Sequence, residues 1–335
     1  ARFEIKNIMK TMLNSYPNPI TILDIIKHSK YISQPQINYH RVYQSKKSKQ
    51  FYENIIFYAT IAFNLYPKAA QTIFRTEQIF PHSWKLLVDF VITKFNKQPN
   101  YLSNAHKEFF LGYMRLMQPI GLTIDQLLYA NLVESADEPL YLVFKHQNQT
   151  IVAIRGTITF QDCKLDLDAV PVKAEVNNQI CYFHRGFYKF AAKLVNQLVQ
   201  KGLIENLVLT GISMAAAVAA ISAVMLNQQN IPCIAFVFNQ PPCMSSVDYS
   251  KQFVTHVAIR NDHVVRASET AVRAMVHRIY LHKTNNTNKN MPSREIHAMI
   301  QKEKDLFCAG QQFIFDNNDI YEIDCFDLAE FILNP

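Results

Sequence analysis

Leu207-Val-Leu-Thr-Gly-Ile-Ser-Met-Ala-Ala-Ala-Val-Ala-Ala-Ile-Ser-Ala-Val-Met-Leu226 reads as a short buried strand, a sharp turn and a buried helix. Leu207, Val208 and Leu209 form the apolar run that fills a central parallel strand. Ala215 to Leu226 is apolar all round and rich in alanine, which suits a helix packed inside a protein. Ser213 stands at the junction. A strand that turns at once into a helix leaves one side chain at the tip of the sheet, beside backbone N–H groups that favour negative charge. Ser213 is therefore a candidate nucleophile. Its frame is Gly211-Ile-Ser213-Met-Ala215, so the pattern G-x-S-x-G carries alanine at its last position. The competing reading makes Ser213 the N-cap of a buried helix, and this stretch alone does not separate the two.

Around this element the chain changes character. Residues 1 to 122 read as helices, with Ile5, Ile8, Met9 and Met12 at helical spacing and a broad aromatic face from Phe51 to Tyr66. Further helices are expected at Thr21–Lys27, Trp84–Phe95 and His106–Met117. After Leu122 the pattern predicts a short capped helix over Thr123–Tyr129. A hairpin made of Leu140–Phe144 and Thr150–Ile154 follows, turning at His146-Gln-Asn-Gln149. Strands and helices then alternate: strand Ile180–Phe183, helix Phe187–Val199, the Ser213 unit, strands Cys233–Phe238 and Phe253–Ile259, and a helix near Glu269–His277. Such alternation predicts a mostly parallel α/β sheet flanked by helices, with a helical region at 1–122 and the α/β domain at 123–335.

A serine hydrolase also needs a base, an acid to orient it and an oxyanion hole. In α/β-hydrolases the chain order is serine, acid, histidine. Asp262 follows strand Phe253–Ile259 at its C-terminal end, where catalytic groups of such sheets gather, though a turn or capping role would also place an Asp there. Of His263, His277, His282 and His297, order and loop placement favour His297 as the base. The N–H of Met214 and the hydroxyl and N–H of Thr157, in Arg155-Gly156-Thr157, are the oxyanion donors; the other reading of that tripeptide is a glycine turn.

Composition narrows the class. The chain has 335 residues, 49% of them hydrophobic, enough for a large core. Only seven glycines occur, and Gly156, Gly186 and Gly211 fall within the motifs discussed here. Six scattered cysteines without a C-x-x-C pair point to a reducing, cytoplasmic setting and to no metal site or cofactor. No signal peptide or bilayer-spanning run is read from the sequence, so a soluble or peripheral protein is expected. The net charge is +7, and Lys46, Lys47 and Lys49 beside Phe51 and Tyr52 fit either an anionic membrane surface or a solvated loop. No basic stripe or recognised motif indicates nucleic acid.

Ile151-Val-Ala-Ile-Arg-Gly-Thr157, His184-Arg-Gly-Phe187 and the Ser213 turn together resemble the class 3 lipases. Leu127-Leu-Tyr-Ala130, Ala153 to Asp162 with Asp166-Leu167, Asp248 to Thr255, Asn261-Asp-His-Val-Val-Arg266 and Pro292-Ser-Arg-Glu-Ile-His297 are similar to the sn-1-specific diacylglycerol lipases. The resemblance runs from about Phe51 to the C-terminus. It implies Ser213 as nucleophile, Asp262 as acid, His297 as base, and Thr157 and Met214 at the oxyanion hole. It further implies a lid from Thr157 through Asp162 to Leu167, and an acylglycerol substrate at a membrane. An A1-type phospholipase and a non-catalytic lipid- or protein-binding relative are the alternatives. Departures from the family pattern are Ile212, Met214, Ala215, Ala217 and Val265, together with a short link between acid and base that includes Lys283 to Asn290.

Overall fold

The structure, a computed structural model, describes residues 43–44, 47–65, 117–131, 140–157, 166, 168–259, 262, 264–268, 305–316 and 319–323. Its strands are β1 (Tyr43–Gln44), β2 (Leu127–Asn131), β3 (Tyr141–His146), β4 (Gln149–Ile154), β5 (Pro171–Val176), β6 (Gln179–His184), β7 (Leu207–Ile212), β8 (Cys233–Phe238), β9 (Val254–Ile259), β10 (Gln311–Asp316) and β11 (Asp319–Ile323). Its α-helices among the described residues are α1 (Lys49–Asn64), α2 (Arg185–Gln200) and α3 (Met214–Gln228). The chain divides into two compact units: residues 47–163 with 189–238, and residues 1–46 with 164–188 and 239–335.

In the first unit β2, β3 and β4 are antiparallel, whereas β4, β7 and β8 run parallel. β7 is the central strand, buried at every residue, as its apolar run demands. Its side chains alternate between two faces. Thr210 Oγ1 donates to the Tyr58 carbonyl of α1 at 3.2 Å, while Gly211 faces Ala215 of α3. α1 and α3 therefore cover opposite faces of the sheet. α3 is buried along almost its whole length, matching its unbroken Ala-rich sequence. α1 begins at Ser48, which caps Phe51 N–H, and lays Ile55, Tyr58, Ile61 and Ala62 on the sheet. Tyr58 stacks on Phe236 at 4.7 Å and donates to Gln149 Oε1 at 2.7 Å. Burial pushes its phenol up to about 12.

In the second unit β9 and β10 are parallel, β11 returns antiparallel to β10, and β1 pairs with β11. β5 and β6 form a separate hairpin turning through Asn177 and Asn178, both with positive φ.

The hairpin expected at Leu140–Phe144 and Thr150–Ile154 forms in register, and Cys233–Phe238 is a strand over those same residues. The helix expected over Thr123–Tyr129 is instead one 3-10 turn, Ile124–Gln126, followed directly by β2. The capping signal is real: Thr123 and Gln126 form a reciprocal capping box. The turn stops because Leu127 to Asn131 pair with β3 and trade helical bonds for the sheet ladder. The helices expected at Thr21–Lys27, Trp84–Phe95 and Glu269–His277 lie outside the described residues, as does nearly all of His106–Met117.

Candidate active site

Ser213 sits between β7 and α3 with φ 60° and ψ −128°. For a residue with a Cβ this is a sparsely populated conformation, costing on the order of 1–3 kcal/mol. Its side chain makes no capping hydrogen bond to the helix. An N-cap serine has extended φ/ψ and accepts from the N2 or N3 amide. Ser213 does neither, so the capping reading fails. The turn is fixed from its backbone: Ser213 N–H donates to Phe238 O at 3.0 Å, and Ser213 O accepts from Ala216 N–H at 2.9 Å. Gly211 makes the turn sterically feasible, since a Cβ there would lie 2.7 Å from the Ala215 carbonyl carbon and 2.7 Å from its Cβ.

Met214 is the first residue of α3 and is buried. First-turn N–H groups have no intrahelical acceptor, so this one is directed off the helix N-terminus. Thr157 lies half-buried three residues beyond β4, after the buried Arg155-Gly156 pair. Both candidate oxyanion donors thus follow the C-terminal ends of parallel strands, β7 for Met214 and β4 for Thr157.

Asp262 follows β9 by three residues, and its N–H donates to Ile259 O at 3.0 Å. Oδ1 accepts from Val264 N–H at 2.7 Å, which starts the 3-10 turn Val264–Arg266. Arg266 NH1 donates to the Asp262 carbonyl at 3.3 Å. Asp262 therefore does cap a turn, and the same bonds hold its carboxyl in place. Burial pushes the carboxyl up to about 6; the Val264 N–H and the Arg266 charge oppose that shift. His297, His263, His277 and His282 lie outside the described residues, as do residues 158–165.

The His184-Arg-Gly motif is a structural clamp. Arg185 Nε donates to Asp168 Oδ1 at 2.7 Å, and its NH2 bonds the same oxygen. Gly186 N–H donates to Asp168 O at 3.1 Å. The His184 ring stacks on Phe187 at 3.7 Å and its Nε2 lies 3.1 Å from Asp166 O. Sequence reasoning did not find this clamp, because Asp168 carries no local signal for one. Cys181, Cys233, Cys243 and Cys308 are buried. Burial raises the Cys181 and Cys233 thiols and pushes Cys243 up to about 12, so these thiols stay protonated and unreactive. Among the described residues no three His, Cys, Asp or Glu side chains cluster as metal ligands.

Burial also holds His184 and His256 neutral, with values pushed down to about 4. Their stabilising neutral forms are present above pH 6.5 and are lost as pH falls from 6.5 towards 4, because the unfolded chain binds those protons first. Each loss amounts to about 3 kcal/mol. Asp262 acts with the opposite sign: its raised value favours folding as pH falls from about 6 to 3.8, and offsets roughly one histidine. Denaturant midpoints are thus expected to drop between pH 6.5 and 4, and to drop more steeply in Asp262→Asn. A midpoint independent of pH over that range would contradict this balance.

A parallel strand that turns through a strained, uncapped serine into a buried helix is the arrangement of the nucleophile turn in the α/β-hydrolase fold. The family model for lipase (class 3) matches residues 151–272. The chain is 28% identical over 183 residues to mouse diacylglycerol lipase-beta, covering 50% of this chain and 27% of that protein. It is 26% identical over 167 residues to human diacylglycerol lipase-alpha, covering 44% of this chain and 16% of that protein. The chain thus spans about a quarter or less of these relatives' lengths. Among solved structures, a Rhizomucor miehei lipase–propeptide complex aligns at 13% identity and TM-score 0.47, over 97% of this chain and 89% of that one.

Proposed function

We propose that the chain is a serine lipase that hydrolyses acyl esters of membrane-derived glycerolipids, diacylglycerol foremost. The backbone of Ser213 carries this reading. A strained serine whose side chain does not cap its own helix has that side chain available for chemistry. In the proposed reaction Ser213 Oγ attacks the ester carbonyl while His297 takes its proton. Asp262 orients the imidazole and stabilises its charged form. The N–H of Met214 and the donors of Thr157 bind the tetrahedral oxyanion, and water then releases the fatty acid. The names of the relatives support diacylglycerol as substrate.

The domain division proposed is a helical region at 1–122 and a catalytic domain at 123–335. Within the former, α1 is already built onto β7 through Thr210 and Tyr58. Among the described residues no helix is long and apolar enough to cross a membrane. Attachment is proposed to be peripheral and on the cytoplasmic side, aided by Lys46, Lys47 and Lys49. Lys49 is solvent-exposed, 3.5 Å from Glu53, and Lys47 lies over the Phe51 ring at 5.7 Å. Flotation with anionic liposomes is expected to show binding that weakens as salt is raised. No binding at low salt would count against attachment.

Substrate class is tested by fatty-acid release from diacylglycerol and from phosphatidylcholine in mixed micelles, with Ser213→Ala beside the wild type. Release from diacylglycerol in the wild type alone is the expected result. Preference for phosphatidylcholine would move the assignment to an A1-type phospholipase, and no release from either would favour a non-catalytic relative.

A further inference from the structure

His256 lies on β9 with no exposed surface, outside the proposed triad. Its Nε2 accepts the Gln240 backbone N–H at 3.0 Å. A backbone N–H can only donate, so the imidazole proton sits on Nδ1 and is given to Gln312 Oε1. Gln312 has its amide oriented to match: Nε2 lies 2.9, 3.0 and 2.7 Å from the carbonyl oxygens of Cys308, Ala309 and Gly310. Cys308 Sγ in turn lies 3.1 Å from Gln240 O and 3.3 Å from Val265 O. Val265 belongs to the 3-10 turn whose first N–H is held by Asp262. On the other side, Asn239 Oδ1 accepts the Ile259 N–H at 3.0 Å, three residues before Asp262.

One imidazole thus stands between two loops, 239–244 and 305–310. These loops also pair directly, through Cys243 N–H to Phe307 O at 2.9 Å and Phe307 N–H to Met244 O at 2.8 Å. The acid turn hangs from both. Burying a polar ring here costs desolvation that an apolar side chain of equal size avoids, so its value lies in the two directed bonds.

We propose that His256 is a positioning residue for Asp262: its neutral ring spaces the loops at 239–244 and 305–310 and so sets the turn that carries the acid. The proposal rests on the role of Asp262 given above.

The test compares the full chain with His256→Phe, His256→Asn and His256→Gln. Phe keeps ring volume and removes both bonds. Asn keeps a donor near the Nδ1 position, and Gln keeps an acceptor near the Nε2 position. Two quantities are read: turnover of a soluble short-chain ester, and hydrogen exchange of the Val264 and Leu209 amides. His256→Phe is expected to lower kcat at least about tenfold with KM within about twofold. It is also expected to speed Val264 exchange at least about tenfold while leaving Leu209 unchanged. Asn or Gln is expected to recover part of both effects. Wild-type kcat and Val264 exchange in His256→Phe would overturn the proposal. So would equal acceleration at Val264 and Leu209 in all three variants, which marks general destabilisation. Should His256→Phe fail to fold, the Asn and Gln variants carry the same two comparisons against wild type. Wild-type protein without ester turnover would refute the lipase reading alone, and Val264 exchange then decides the case of His256.

Discussion

Ser213→Ala is expected to lower ester hydrolysis by roughly 10³-fold or more and to abolish labelling by a fluorophosphonate probe. Its thermal midpoint is expected within about 2 °C of wild type. Both outcomes follow from the turn. The substitution removes one oxygen that makes no capping bond, so α3 loses nothing by it. The backbone stays at φ 60°, ψ −128°, and Ala bears the same strain as Ser. Ser213→Gly is the sharper companion. Glycine enters this region without a Cβ penalty, so relief of strain outweighs its greater unfolded-state entropy, and stability should rise by roughly 1 kcal/mol while activity is lost equally. A capping serine behaves in the reverse way: Ala costs about 1 kcal/mol and Gly a few tenths. Calorimetry on the two variants therefore separates a nucleophile from a cap without any substrate. A midpoint that falls in both, with labelling retained in Ser213→Ala, would remove Ser213 from the site.

How much of this was legible in the sequence depends on whether the signal was local. The strand, turn and helix at Leu207–Leu226 could be read because apolar run, glycine and Ala-rich helix are each local patterns. The positive φ of Ser213 could not, because it is imposed by Phe238 O on one side and by the start of α3 on the other. Strand β5 escaped notice although Asn177-Asn178 is a hairpin turn pair. Val172, Ala174 and Val176 do alternate with Lys173 and Glu175, but the run is short and only Val176 is fully buried. β10 and β11 were missed too, since the Gln311-Gln312 opening of β10 reads as polar loop. Gln312 is nonetheless buried, held by three carbonyls and His256. Thr123–Tyr129 shows the opposite failure: a true capping box announced a helix that ended after one turn. At the candidate site, the position of Asp262 just beyond a strand end was legible in the sequence. The hydrogen-bonded set of His256, Gln312 and Cys308 beside its turn was not, because those residues meet only through folding.

Gly211→Ala is expected to cost roughly 3 kcal/mol and to carry most of the activity away with it. The added methyl would stand 2.7 Å from the Ala215 carbonyl carbon, 2.7 Å from its Cβ and 2.8 Å from its carbonyl oxygen. Two of these three atoms are helix backbone, which cannot swing aside as a side-chain tip can. α3 must then shift away from β7, and Met214 N–H and Ser213 move with it. A shift of about 1 Å at such a site is enough to cost on the order of 10²-fold in rate. The alanine that replaces the last glycine of G-x-S-x-G makes the contact tighter than a glycine there would. Ala215→Gly in the Gly211→Ala background removes only the Cβ–Cβ clash, so it should return some stability but less than half of the loss. Full recovery would show that the crowding lies between the two side chains, and that the backbone of α3 has room the geometry does not give it. Ala215→Gly alone should leave labelling of Ser213 intact, since it loosens a contact without moving the turn. Urea midpoints for the three variants, read beside probe labelling, place the departure from the family pattern on the side of packing and away from the chemistry of the serine.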